Sequence, residues 1–135
     1  ISFIEKYAFF NNSNLDLLNL AYNRLKHFTN DFYGNDLIKS PIKFLNLEYN
    51  ELQFYDMALN DYKEGVLYLT NNHLDETRIN ILRINFILSQ KLYLNKNRFT
   101  IIKKNFLPEH NFITDLNLNQ NLISFIEDKS FKCTN

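Results

Sequence analysis

The chain has 135 residues, which suits one domain and allows a real core without disulfide or metal staples. Its 45% apolar content excludes compositional disorder. Fifteen basic residues balance fifteen acidic ones, so the cationic excess that a nucleic-acid binder needs is missing.

The single cysteine, Cys133, excludes an internal disulfide framework, and the soft ligands of a structural metal site are absent from the sequence pattern. Asn, Leu, Ile, Lys and Phe are common, while Ala, Gly, Val and Arg are scarce. That balance follows A- and T-rich codons, so the abundant Asn is read as mutational drift with little functional weight. The sequence starts at Ile1 rather than Met, the form left by a removed leader or a missing N-terminus. No run approaches the roughly 20 apolar residues of a membrane span. No internal repeat and no linker stand out.

In chain order, the first expected element is a helix from about Asn14 to Asp31. Ser13 is its N-cap, and Leu15, Leu18, Tyr22, Leu25 and Phe28 form one apolar stripe. Gly34 and Ser40-Pro41 end it. Ile42 to Tyr49 is ambiguous between strand and helix. Leu52, Tyr55, Leu59, Tyr62, Val66 and Leu69 predict a second helix from Asn50 to about Leu69, with Gly65 marking a kink or a close approach. Asn71-Asn72-His73 is a turn. Asp75 caps a third helix running to about Tyr93, apolar over most of its circumference. Leu107-Pro108 breaks the chain. A short last helix is expected from Gln120 to Lys129. The expected fold is all-α: one compact helical domain, 1–135, of about four helices with irregular connections. Residues 1–40 form an N-terminal helix and arm, and 41–135 form the core.

Chemistry-bearing patterns are sparse. His27, His73 and His110 lie at no metal-ligand spacing. With only Gly34 and Gly65, no glycine-rich phosphate cradle can be built. Acid pairs such as Asp75/Glu76 suit helix ends better than acid–base work. The expectation is a non-enzyme with no catalytic residues, no cofactor and no metal. The aromatic surplus, Phe 13 and Tyr 8, exceeds what one stripe per helix absorbs, and exposed aromatic patches mark protein contacts.

Asp61 to Thr100 carries a family likeness. Asp61, Lys63 and Glu64 open it, Leu69 and Asn72 fall in a turn, and Asp75-Glu76 forms an acidic pair. Ile81 and Arg83 follow in a helix, and Leu94, Lys96, Phe99 and Thr100 form the exit. This order resembles the small matrix-side helical subunit of the mitochondrial cytochrome bc1 complex (yeast subunit 7, the ubiquinone-binding protein family). Thr70 and Asn95 replace the family's turn prolines, Phe99 its Trp, and Leu82 a base. The resemblance implies a non-catalytic accessory subunit of the ubiquinol–cytochrome c reductase, peripheral on the matrix side of the mitochondrial inner membrane. Its implied partners are cytochrome b and the core subunits, with Arg83, Lys96 and Phe99 as contacts. The alternative expectation is a peripheral structural subunit of another large mitochondrial assembly, a different respiratory complex or the mitoribosome.

Overall fold

The computed structural model describes residues 1–10, 12, 14–29, 32, 42–56, 65–78, 89–107 and 113–131. These residues form nine short strands: β1 (Leu17–Asn19), β2 (His27–Thr29), β3 (Phe44–Asn46), β4 (Phe54–Asp56), β5 (Gly65–Tyr68), β6 (Ser89–Tyr93), β7 (Ile101–Ile102), β8 (Asp115–Asn117) and β9 (Phe125–Ile126). No α-helix occurs among them.

The sequence carries a repeat. Leu-x-Leu-x-x-Asn recurs as Leu18/Leu20/Asn23, Leu45/Leu47/Asn50, Leu67/Leu69/Asn72, Leu92/Leu94/Asn97 and Leu116/Leu118/Asn121. Successive Asn residues lie 27, 22, 25 and 24 positions apart. Each repeat is one coil. Side chains alternate along a strand, so both Leu residues of a motif point to one side and the intervening residue to the other. Stacking the coils sets their first strands into a five-stranded parallel sheet of order β1-β3-β5-β6-β8. The register is Leu18↔Leu45↔Leu67↔Leu92↔Leu116.

The second strands of the coils pair in parallel as β2 with β4 and β7 with β9, closing the core. Between the sheets lie Leu45, Leu47, Leu67, Leu69, Leu92 and Leu94, facing Phe28, Tyr55 and Ile102, all fully buried. Each buried side chain of this size stabilises by about 1.5–3 kcal/mol relative to exposure. Phe28 and Tyr55 lie parallel at 6.2 Å, and Phe32 meets Phe28 edge-on at 5.0 Å.

After each first strand the backbone takes a left-handed residue: Tyr22 (φ 57°), Tyr49 (53°), Asn71 (54°), Lys96 (56°) and Gln120 (55°). The repeat Asn follows at once and ties the turn. Asn97 donates through Nδ2 to the carbonyls of Leu94 and Asn95 in its own coil and of Leu69 in the coil before, while its Oδ1 accepts the Leu74 amide. Asn72 and Asn50 repeat this set one and two coils earlier. The coil interior is thereby satisfied where no helix or sheet ladder reaches.

This architecture overturns the all-α, all-helical expectation. Where a helix was expected from Asn14 to Asp31, the described residues form β1, a turn and β2. The coil's own spacing produced the false stripe: Leu18, Leu25 and Phe28 are core positions that happen to fall near a period of 3.6. Tyr22, counted in that stripe, is 75% exposed. The helix expected over 50–69 is a turn, β4 and β5 in its described parts; that over 75–93 is a turn over 75–78 and β6 at its end; that over 120–129 is a turn and β9. The middle of the third helix, 79–88, lies outside the described residues, as do Gly34, Ser40-Pro41 and Pro108. Within Ile42 to Tyr49 only Phe44–Asn46 is strand, β3, with Phe44 on the outer face and Leu45 inside. Gly65 is buried at the register shift between β5 and β6, where Gly65 faces Ser89 and Val66 faces Lys91.

The strands also remove the helical fold implied by the bc1-subunit resemblance. In its described part, the residues that matched are positions of the repeat: Leu69 and Leu94 are core leucines, Asn72 a turn asparagine, Phe99 a core aromatic. No helix among the described residues is long and apolar enough to cross a membrane.

Candidate protein-recognition face

The outer side of the five-stranded sheet is built from the residues just before and between the two leucines of each motif. One row runs Leu17, Phe44, Val66, Lys91, Asp115 and the next Asn19, Asn46, Tyr68, Tyr93, Asn117. Parallel register sets each residue beside its equivalent in the neighbouring coil, so like side chains stack into ladders.

Tyr68 and Tyr93 stack with ring centroids 5.0 Å apart and planes 9° from parallel. The Tyr93 hydroxyl donates to Asp115 Oδ2 at 2.8 Å. That hydrogen bond, with lesser contributions from burial and the Asp115 and Tyr68 charges, raises the Tyr93 pKa. At the other end of the face, Leu17 is 58% and Phe44 42% exposed. At the turn edge Tyr22 and Tyr49 stack at 4.5 Å and 7°. The Thr70 hydroxyl donates to Asn95 Oδ1 at 2.9 Å beside them. The face therefore offers preset aromatic rings, amides and an apolar end.

The next flank carries Arg24, Glu51, His73 and Arg98, one in each of the first four coils, and Leu122 in the fifth. Burial lowers the His73 pKa, Arg98 lowers it further, and Glu51 opposes both. Asp75 and Glu76 sit in the turn after His73. Burial pushes both carboxyls up, but hydrogen bonds outweigh it, and both end below their ordinary range. For Asp75 these come from the Thr77 hydroxyl and amide, with Arg78 Nε at 3.3 Å from Oδ2. For Glu76 they come from the Thr100 hydroxyl at 2.7 Å and amide at 3.1 Å. Asp75 ties its own turn, and Glu76 stitches that turn to the next coil through Thr100.

Of the residues proposed from sequence, Lys96 and Phe99 do not converge. Phe99 is fully buried and meets Phe106 edge-on at 6.0 Å, so it is core. Lys96 is exposed and holds the left-handed turn position of its coil. Arg83 lies outside the described residues, as do His110 and Cys133. Among the described residues no group of His, Cys, Asp and Glu could hold a metal. A mostly apolar cleft of about 240 Å³ opens between residues 2–6 and β2, with His27 and Lys6 as its titratable groups. The ladder tyrosines went unnoticed in sequence. Their signal was the repeat: Tyr68 and Tyr93 each stand between the two leucines of a motif.

Comparison with protein-family models, curated proteins and solved structures finds no match.

Proposed function

We propose that this chain is a leucine-rich-repeat solenoid that recognises a protein partner through the outer side of its five-stranded sheet, without catalysing a reaction. The pattern Leu-x-Leu-x-x-Asn at intervals of 22–27 residues has the form of that repeat class. Solenoids of stacked repeats present long, rigid binding surfaces. The observation that carries the reading is the Tyr68–Tyr93 stack locked by Asp115. Tyrosine supplies large contact area at low ordering cost and is enriched among residues that dominate binding energy. Two rings already held parallel lose little freedom on docking. Exposed Phe44 and Leu17 extend the patch with apolar surface that a partner would cover.

A seat on a larger assembly, expected from the aromatic surplus, fits this surface, with strands rather than a helix carrying the contact. The test is selection of binders from a displayed protein library, followed by substitution. Tyr93→Ala and Phe44→Ala, both at exposed or half-exposed positions, should each weaken the selected interaction by 10-fold or more and leave the thermal midpoint within a few degrees. Binders indifferent to both substitutions would overturn the reading.

A further inference from the structure

The chain is neutral overall, but its charge is not spread evenly over the coils. Residues 89–107, the fourth coil, carry five bases, Lys91, Lys96, Arg98, Lys103 and Lys104, and no acid. The described stretches on either side are the reverse: 65–78 sets Asp75 and Glu76 against Arg78, and 113–131 sets Asp115, Glu127 and Asp128 against Lys129. The acids that touch the fourth coil still leave its charge uncompensated. Glu76 accepts from the Thr100 hydroxyl and amide, Asp115 from the Tyr93 hydroxyl and Glu127 from the Lys104 amide, all neutral donors. Asp75 is held by Arg78 of its own turn. Among the described residues none of the five bases holds an ion pair.

Three of those bases border the sheet face. Lys91 stands on its outer side in the row of Phe44 and Val66, Lys96 holds the turn, and Arg98 lies on the flank beyond. All three are exposed. Between Lys91 and Lys96 come Tyr93, stacked on Tyr68, and Asn95, bonded to Thr70. Phe44, 42% exposed, lies two strands from Lys91 in the same row. The second to fourth coils, which carry all these residues, each have a coil on both sides.

We propose that the partner segment docking on this face is an acidic peptide. It seats an apolar or aromatic side chain against Phe44 and Tyr68 and a carboxylate on Lys91, and Lys96 and Arg98 draw further acids to the turn edge. The proposal rests on the sheet face being the recognition surface and adds the partner's charge and its register. Neighbouring strands lie roughly 4.8 Å apart, so Phe44 and Lys91 stand about 10 Å apart, a span that an extended chain covers in about three residues. Complementary charge fixes register and speeds encounter more than it adds affinity. Nucleic acid fits less well. The positive strip is one coil wide, with Asp115 next to Lys91 in the row and Glu51 two coils from Arg98 on the flank. Successive phosphates crossing the coils would run onto those acids.

The probe is a displayed library of random short peptides, selected on the 135-residue protein. Enriched peptides should carry Asp or Glu about three positions from an aromatic or large apolar residue. They should bind more weakly as salt rises. Lys91→Glu, at an exposed position, should weaken them about 10-fold or more. Changing the peptide's acid to Lys should restore binding to that variant. Lys103→Glu makes the same charge change beyond β7 and should alter binding less than about 2-fold, which separates contact from net charge. Binders that need Tyr93 and Phe44 but carry no such acid would overturn the proposal and leave the sheet face standing as the recognition surface. Binders indifferent to Tyr93→Ala and Phe44→Ala, or no enrichment at all, would overturn the sheet-face reading and this proposal with it. Tighter binding of a poly-dT oligonucleotide than of the enriched peptides would also overturn it, because nucleic acid would then be the occupant.

Discussion

Asn72 bridges two coils: its Nδ2 donates to the Leu47 carbonyl at 2.9 Å while its Oδ1 accepts the Leu52 amide at 2.9 Å. Both partners belong to the preceding coil, and all three groups are buried. Asn72→Leu keeps the volume but strands an amide and a carbonyl. Each orphaned buried group costs roughly 1–3 kcal/mol, so the substitution should destabilise by about 3 kcal/mol. Asn72→Asp should cost no less, since a carboxylate accepts from Leu52 but faces the Leu47 and Leu69 carbonyls without a donor. Urea unfolding monitored by tyrosine fluorescence measures both. The same exchange at exposed Asn119 should shift stability by under about 0.5 kcal/mol.

Little of this design is legible in the sequence read one window at a time. Ile42 to Tyr49, ambiguous between strand and helix, holds β3, but the Ile42/Phe44 alternation does not mark its inner face, since Ile42 is buried and Phe44 exposed. The turn read at Asn71-Asn72-His73 follows β5, with Asn71 left-handed. The repeat went unseen because codon bias makes Asn frequent, and five structural asparagines were discounted with the rest. The helical reading arose because a coil mixes a two-residue step along its strand with longer steps through its turns. Averaged over a window, Leu18, Leu25 and Phe28 imitate a helical stripe. Phe99 drew attention for a family likeness, whereas its burial follows from standing two residues after the turn asparagine Asn97, as Leu74 does after Asn72. Nothing in one strand's sequence shows that Tyr68 and Tyr93 touch; only the register of β5 with β6 does that.

Lys96 offers a direct test of a turn role against a contact role. A side chain with a Cβ in the left-handed region costs roughly 1 kcal/mol, which glycine avoids. Lys96→Gly should therefore be neutral to stabilising by up to about 1 kcal/mol. Lys96→Val, β-branched at positive φ, should destabilise by about 1 kcal/mol or more. Thermal midpoints of the two variants on either side of the wild type would establish the turn role. A loss of stability in both would contradict it.

His73 links stability to pH. Its folded pKa lies below the ordinary 6.5 because burial and Arg98 disfavour the charged ring, with Glu51 opposing. Between 6.5 and the folded value the unfolded chain binds the proton that the folded chain refuses. Stability should fall as pH drops through that window. His73→Gln should flatten the urea midpoint between pH 7 and 5. At lower pH the depressed carboxyls of Asp75 and Glu76 take over: their contribution is present above the unfolded carboxylate range and is lost as pH falls through their folded values. Glu76→Gln should remove part of that acid-side loss and leave the His73 window intact.

Ile102 and Ile126 are paired across β7 and β9, hold the same position in successive coils, and differ in burial from complete to 55% exposed. Ile102→Ala removes side-chain atoms from the middle of the stack and leaves a cavity that neighbouring coils cannot collapse into. It should cost about 2–5 kcal/mol. Ile126→Ala removes the same atoms from a surface that water already reaches and should cost under about 1 kcal/mol. In a stack where each coil touches only its neighbours, the second change should also act locally. Hydrogen exchange should speed up in the last coil and stay unchanged around Leu45 and Leu67. Ile102→Ala should instead loosen the coils on both sides of it. Equal costs for the two substitutions would mean that the last coil is covered in solution, and the same exchange experiment at low protein concentration would show what covers it.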